Sequence, residues 1–519
     1  MGNTTARQQA LEAFAEFRVE PTSLVSYQSR GKLLALGSAD ELSRCDRLPQ
    51  SVEVERIEAE PGRVDVQGYL GAYVVEVDAG SGQKKTYRGD AILDLGDQPR
   101  LLREMLPPGY FHVPQANEAD FDVSELEALT GEFQKPRYFD YDPDICAHGV
   151  NGKIACSNCI DACPAEAIIS IGERIEVDPH LCQGGGSCAS VCPSGAIRYL
   201  YPNLRDSGMR LRSLLQRYAQ SGGEQAIVFF HGENLSTDAY CEAYDNLLPV
   251  AVEEIGSVGM DQCLSALAYG ASRVVLCSDD ETPSSTLDNL RQQIGWVREL
   301  LIALGLDPNA IELCRNEAAL PEVDTLRTIA PAEYDTPLNK RSAMFQAVDH
   351  LVAQLKPAAE QVDLPSPAPF GDVVIDAGKC TLCMACVGAC PGKALQDGSN
   401  REVPEVFFFE NNCLQCGACV QTCPEDAIEL VPRLVLERES RNRGRALNRD
   451  MPFACIACGK PFASTSVIDK MLDKLKDHHM FGSERALNRL KMCEDCRVVD
   501  IVEDPEAMGG QFDPRTRFR

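Results

Sequence analysis

Eight cysteines fall into two runs of one grammar, Cys380-x2-Cys383-x2-Cys386-x3-Cys390-Pro391 and, thirty-three residues on, Cys413-x2-Cys416-x2-Cys419-x3-Cys423-Pro424. Four thiols at this spacing are what one iron–sulfur cluster and a piece of its neighbour need, because three close cysteines wrap one cubane while the fourth reaches across to the other. Against the alternative of disulfides or free thiols, the doubled spacing is a specific signal.

A second, irregular set precedes it. Cys156-x2-Cys159-x3-Cys163-Pro164 keeps the pattern, but the expected first cysteine is displaced to Cys146, across the loop Ala147–Ala155. A longer loop can still close on a metal, since closure entropy grows only logarithmically with length. The partner half reads Cys182-x5-Cys188-x3-Cys192-Pro193, with Gly185 where the second cysteine is expected. Gly184-Gly185-Gly186 sits between cysteines and not between a strand and a helix, so it does not read as a phosphate loop. Near the C-terminus, Cys455-x2-Cys458 and Cys493-x2-Cys496 form two C-x2-C knuckles separated by thirty-four residues. Two such pairs read as a tetrahedral four-thiolate zinc site in preference to rubredoxin-like iron. His478 and His479 in the insert read as surface residues, because four thiolates already complete the shell.

The two regular runs make residues 371–432 resemble a two-cluster bacterial ferredoxin, and 141–202 resemble an irregular one. That resemblance implies crossed ligation: Cys380, Cys383, Cys386 and Cys423 for one 4Fe–4S cluster, Cys413, Cys416, Cys419 and Cys390 for a second, and Cys146, Cys156, Cys159 and Cys192 for a third. The fourth site keeps only Cys163, Cys182 and Cys188. Three thiolates suit a 3Fe–4S cluster or a 4Fe–4S cluster completed by another ligand, with loss of the cluster as the third alternative. Val258–Gln262 through Tyr269–Ala271 and Val274–Cys277 resemble the delta subunit of methyl-viologen-reducing hydrogenase, although most cysteines of that family's 2Fe–2S site are absent. Gly68–Val75 followed by Lys135–Phe139 is similar to the segment leading into the ferredoxin insert of heterodisulfide reductase, without a flavin fingerprint. The whole architecture resembles bacterial 4Fe–4S proteins that accompany formate dehydrogenases. It implies a redox partner of the formate dehydrogenase or hydrogenase type, with an assembly, maturation or redox-sensing factor as the competing class.

The elements that must hold these sites follow from periodicity. Residues 1–140 read as an N-terminal helix and a small β-rich or α+β domain, with strands at Ser51–Ile57, Ala72–Val77 and Ala91–Leu95; the lone Cys45 reads as structural. In 206–330, apolar runs at Ala226–Phe230, Val250–Ile255, Arg273–Cys277 and Ile311–Cys314 alternate with helical patterns at Thr237–Leu248, Met260–Tyr269 and Ser284–Leu304, which predicts a parallel α/β domain. Its scattered Cys241, Cys263, Cys277 and Cys314 read as buried free thiols. Residues 331–370 predict a helix and a Pro-rich linker, 371–435 the regular module, and 436–519 an Arg-rich segment with the four-cysteine zinc domain. The expected fold class is multidomain α+β: two ferredoxin-like modules flanking a parallel α/β domain, plus a zinc-ribbon-like C-terminal domain.

With 519 residues, an apolar fraction of 44 % and 24 cysteines, the chain has ample core material, and its metal-type cysteine arrays predict a reducing, cytoplasmic compartment. The opening Met1–Arg7 carries no apolar signal core, and no run approaches eighteen apolar residues, so no membrane span is expected. Fifty basic against seventy-eight acidic residues give a net charge of −28, which argues against nucleic acid and suits docking to a basic redox partner. The exception is Arg433–Arg449, with six arginines, which reads as an exposed helix or as a docking segment for an acidic patch. No nucleophile–base pair stands out, so the expected role is electron transfer without a catalytic site of its own. Protein purified without oxygen is expected to hold about 15 to 16 iron atoms and about one zinc per chain by metal and acid-labile sulfide analysis; about 8 iron atoms would mean that only the regular module is loaded.

Overall fold

In the computed structural model, which describes residues 2–60, 62–78, 84–117, 121–316, 319–321, 327, 329–398 and 403–504, the strand Leu33–Gly37 is buried along its whole length. An uninterrupted apolar run of this kind belongs to a sheet covered on both faces. Leu33–Gly37 lies between Val54–Glu58 and Ala91–Asp94, with Tyr110–His112 beyond, and all three pairings are parallel. An antiparallel meander, Val64–Gln67, Tyr73–Asp78 and Lys84–Gly89, links the second of these strands to the third. The N-terminal region is therefore more than the β-rich set of strands expected: its centre is a parallel sheet, whose middle strand has no polar alternation to mark it.

The chain divides into two units, Met1–Cys146 with Ser157–Ala359, and Ala147–Cys156 with Glu360–Arg519. In the first, a second parallel sheet has the order Leu247–Val252, Ile227–Gly232, Arg273–Ser278, Ile311–Arg315. Its helices are Asp238–Ala243, Met260–Ala268 and Ser284–Ala303. The first of them is shorter than expected because Asn246 already belongs to the sheet, accepting from Ile227 N–H at 3.0 Å and donating to the Gln225 carbonyl at 2.6 Å. Three further long helices pack in this half. Leu204–Gln220, unmarked in the sequence reading, packs with Asn3–Glu16, and Lys340–Leu355 packs on Met260–Ala268. Cys45, Cys263, Cys277 and Cys314 are buried, whereas Cys241, expected to be buried too, is half-buried near the end of the short helix Asp238–Ala243.

In the second unit, Ile428–Val435 pairs antiparallel with Gly371–Ile375 and with Gln361–Asp363. The Pro-rich stretch expected as a linker is thus a packed turn joining two strands of this sheet, with Leu364, Ala368 and Phe370 buried. The Arg-rich run is not one exposed helix: Arg433, Arg441, Arg445 and Arg449 meet acids and carbonyls of their own unit, while Arg438, Arg443, Arg445 and Arg449 stay exposed. Arg433 forms a two-pronged pair with Glu410 at 2.9 and 2.7 Å, Arg445 pairs with Asp372, and Arg449 with Glu405 at 2.7 Å. Arg441 is 1 % exposed and donates to the Val435 and Leu436 carbonyls, each at 2.8 Å. The helix here is only Arg438–Asn442.

The C-terminal part joins the hairpin Pro452–Ala454 and Pro461–Ser464 to the helices Thr465–Leu475, Glu484–Arg489 and Glu494–Val502. Residues 505–519 of the expected last domain lie outside the described residues. Arg441→Met leaves two buried carbonyls without their donor and is expected to lower the unfolding free energy by about 2–4 kcal/mol, measured by denaturant titration of the metal-loaded protein.

Candidate metal centres

The cysteines of the regular module line two separate cavities. Cys380, Cys383, Cys386 and Cys423 line one, together with Leu382, Val406, Glu425 and Ile428. Cys390, Cys413, Cys416 and Cys419 line the other, with Val373, Leu395, Leu414 and Leu430. Each cavity thus takes three cysteines from one run and the fourth from the other. Burial pushes the Cys386 thiol up to about 12, and the charges of Cys380, Cys383 and Cys423 add to it. Cys419 is pushed up by burial and then by Cys413, Cys416 and Cys390. Sulfurs that raise one another in this way fit a cationic cluster, which removes the protons and neutralises the repulsion.

Local backbone geometry repeats around the Cys-Pro pairs. Glu166, Lys393 and Asp426, each three residues after the cysteine, are left-handed with φ of 50°, 53° and 46°. The turn brings the next amide back onto sulfur: Ala167 N–H donates to Cys163 Sγ at 3.4 Å, Ala394 to Cys390 at 3.2 Å and Ala427 to Cys423 at 3.4 Å. Such N–H···S bonds stabilise negative sulfur and help set a cluster's potential. At Cys192 the corresponding amide, Ala196 N–H, donates to Ser194 Oγ at 3.2 Å, and that hydroxyl lies 3.6 Å from Cys192 Sγ. Cysteine spacing carries no sign of this exchange of an amide for a hydroxyl.

In the first unit, Cys146, Cys159, Cys163, Cys182, Cys188 and Cys192 gather around Phe139, Ile168, Ile175 and Ile197. Burial pushes Cys188 well up, and the charges of Cys163 and Cys182 follow, then Cys159 and Cys192. Cys163, Cys182 and Cys188 therefore form one neighbourhood that borders another. Lys135 donates to the His180 and Cys182 carbonyls at 2.9 and 2.6 Å, and burial pulls its ammonium down to about 8 against the charges of Cys182 and Asp178. Cys156 ends the segment assigned to the second unit, where the hairpin Gly149–Val150 and Lys153–Ile154 docks on Ala418–Thr422 through a bond from Lys153 to the Gln421 carbonyl. Cys156 N–H donates to the His148 carbonyl at 3.3 Å.

The glycine triplet separates into three roles. A Cβ at Gly184 would lie 2.9 Å from the Tyr138 ring, and one at Gly186 2.4 Å from Ser257 Cα; both residues are left-handed, at φ +81° and +74°. Gly185 is under neither constraint. Close packing of the Cys188 helix continues through Ser187 Oγ, 3.0 Å from Thr286 Oγ1, and Gln293, which donates to Ser190 Oγ at 3.3 Å. A cavity of about 330 Å³ beside this helix is lined by Tyr199, Asp261, Gln262 and Lys340.

In the C-terminal part, the sulfurs of Cys455, Cys458, Cys493 and Cys496 all lie within 4.8 Å of one another, and Cys458 and Cys493 are 3.7 Å apart. A tetrahedron with metal–sulfur bonds of about 2.3 Å has sulfur–sulfur edges of about 3.8 Å, so the Cys458–Cys493 edge already matches zinc and the quartet is gathered closely enough to close on one ion. One pair sits in the hairpin turn, while Cys493 caps the helix Glu494–Val502 that also carries Cys496. This arrangement differs from two β-knuckles of a ribbon. Burial raises Cys455, but amides of Cys493, Cys458 and Ala457 pull it down to about 6. His478 and His479 are exposed, as expected.

Comparison with known families matches residues 379–428 to the 4Fe-4S dicluster domain and residues 175–198 to the 4Fe-4S binding domain. No curated protein matches the chain. The chain thus carries two ferredoxin-type 4Fe–4S domains within a mixed α/β, multidomain architecture, which makes it an iron–sulfur, metal-binding chain. Such domains point to electron transfer and imply redox partners.

One acidic group beside these elements makes a pH test possible. Burial pushes the Glu254 carboxyl up to about 7, with Asp279, Glu253 and Glu281 adding to the shift. Because the folded state holds this proton more tightly than an unfolded carboxyl of about 4.5, the group's stabilising contribution is full below that value and is lost as pH rises through 7. In denaturant titrations from pH 5 to 8, Glu254→Gln is expected to flatten the decline seen in the native chain.

Proposed function

We propose that this chain is a polyferredoxin-like electron-transfer subunit or carrier serving an oxidoreductase, with a formate dehydrogenase as the first partner to test. The observation that carries the reading is the lining of the two cavities, each with four cysteines drawn from both runs. Cys380, Cys383, Cys386 and Cys423 would hold one 4Fe–4S cluster, Cys390, Cys413, Cys416 and Cys419 a second, and Cys146, Cys156, Cys159 and Cys192 a third. Cys163, Cys182 and Cys188 would hold the fourth, and Cys455, Cys458, Cys493 and Cys496 would hold structural zinc.

Bound clusters of this type supply one-electron chemistry at fixed positions. The protein's own contribution is to surround them with Leu382, Val406, Leu395 and Leu430 and to aim the Ala167, Ala394 and Ala427 amides at sulfur. In the second unit the zinc-type domain is tied to the first cavity's rim. Ser464 Oγ donates to the Thr381 carbonyl at 2.8 Å, and Lys470 and Lys474 pair with Glu425 at 2.5 and 3.5 Å. Zinc would therefore brace that rim. Among the described residues no helix is long and apolar enough to cross a membrane, and we assign the protein to the reducing cytoplasm on its thiolate chemistry.

Rapid mixing with formate-reduced formate dehydrogenase tests the reading: reduction of the clusters at a rate matching turnover supports a carrier, whereas binding only to cofactor-free enzyme supports a maturation factor instead. Crossed ligation has its own test in paired variants. Cys383→Ser with Cys423→Ser should leave about four iron atoms in the regular module, because both changes fall on one cluster. Cys416→Ser with Cys423→Ser should leave almost none, by iron analysis and low-temperature EPR. Cys493→Ser should remove the zinc while leaving iron unchanged.

A further inference from the structure

The site of Cys163, Cys182 and Cys188 lacks the thiol that the pattern places at position 185, and another sulfur faces that position. A Cβ built on Gly185 would lie 3.5 Å from Met105 Sδ and 3.5 Å from Pro164 Cγ. Pro164 follows Cys163 directly and offers no donor there. The other polar side chains nearby have partners: Gln183 donates to the Leu106 carbonyl at 2.5 Å, Ser187 meets Thr286, and Lys135 meets two carbonyls.

Met105 is held in place by the loop that carries it. Asp94, fully buried, accepts from Arg100 N–H at 2.7 Å and Tyr110 Oη at 2.6 Å and pairs with the Arg100 guanidinium. Tyr73 Oη donates to the Pro108 carbonyl at 2.9 Å. Between these anchors, Met105 N–H donates to the Pro164 carbonyl at 3.0 Å and Arg103 pairs with Glu166 at 3.2 Å. The arm is thus fastened at both ends to the parallel sheet and in the middle to the Cys163-Pro164 turn. A loop tied this way presents one side chain to one place.

We propose that the Met105 thioether is the fourth ligand of the cluster held by Cys163, Cys182 and Cys188. The inference rests on the reading of those three cysteines as cluster ligands. A thioether is a soft donor suited to iron–sulfur clusters. Being neutral where a thiolate is charged, it leaves the cluster one unit less negative, which moves its potential upward relative to an all-thiolate neighbour. The N-terminal arm would then tune this cluster as well as cover it.

The test uses anaerobic full-length protein and three variants: Met105→Leu, which keeps volume but cannot ligate; Gly185→Cys, for which the backbone leaves room; and the two combined. Native protein is expected to show no 3Fe–4S EPR signal when oxidised. Met105→Leu should show that signal at about one spin per chain with one iron atom lost, and the combined variant should lose the signal and regain the iron. Gly185→Cys alone should lower this cluster's midpoint potential in a redox titration. A 3Fe–4S signal already present in the native protein, or a Met105→Leu spectrum identical to native, overturns Met105 as ligand while leaving the three-thiolate site in place. Iron near 12 per chain in native protein, unchanged by Gly185→Cys, removes the three-thiolate site itself and the proposal with it. The zinc content and the spectra of the regular module report whether each variant has folded.

Discussion

Several negatively charged sulfurs cannot share a buried pocket a few ångströms across unless cations sit among them. This requirement shapes every region of the chain that holds cysteine runs. In the regular module it explains why Cys386 and Cys419, whose protons are held tightly by burial and by neighbouring charge, line cavities walled by leucine, valine and isoleucine. The apolar wall keeps water out, and exclusion of water strengthens both the repulsion between bare thiolates and their attraction to a metal. Folding and metal loading are therefore one problem, since a preformed pocket without cations is costly and cations without a pocket are not held.

Backbone amides supply the remaining stabilisation. The left-handed residues Glu166, Lys393 and Asp426 cost local conformational energy that the turn recovers by turning an N–H onto sulfur. Ser194 replaces that amide with a hydroxyl at Cys192, so sites built from one repeated turn differ in the polarity around a single sulfur. Differences of this size separate the potentials of otherwise similar clusters. The same economy appears in the triplet around Gly185: its outer glycines answer to Tyr138 and Ser257, and only the middle one leaves space beside the three thiols.

Much of the fold was legible because the signals were local. The strands Ile227–Gly232, Arg273–Ser278 and Ile311–Arg315 and the helix Ser284–Ala303 lie within two residues of their expected bounds, since short apolar runs alternating with helical periodicity leave few other topologies. Leu204–Gln220 gives only a diluted helical signal, because Gly208 and four arginines interrupt the apolar set of Leu211, Leu214, Leu215 and Tyr218, which lie at helical spacing and are buried. The expected linker at 364–369 turned out to be packed, because prolines at a sheet margin read the same as prolines in solvent. Four of the six arginines of Arg433–Arg449 are exposed, yet the acids that pair with Arg433, Arg445 and Arg449, namely Glu410, Asp372 and Glu405, lie 23, 73 and 44 residues earlier, beyond the reach of any local reading.

By itself the sequence determined which cysteines belong to metal-type runs, that one run is incomplete at Gly185, and that a parallel α/β region lies between the two modules. These are properties of spacing and periodicity along the chain, and a cysteine's capacity to ligate is written in its neighbours. Tertiary structure alone decided which amides point at sulfur, which acids meet the arginines of Arg433–Arg449, and which side chain faces the position where the pattern lacks a thiol. Met105 shows why: nothing near it in the sequence marks it, and it lies opposite Gly185 because the Asp94–Arg100–Tyr110 network and the bond to the Pro164 carbonyl carry its loop there. Packing brings together residues that sequence distance keeps apart, and the atoms that would complete a metal site are among them.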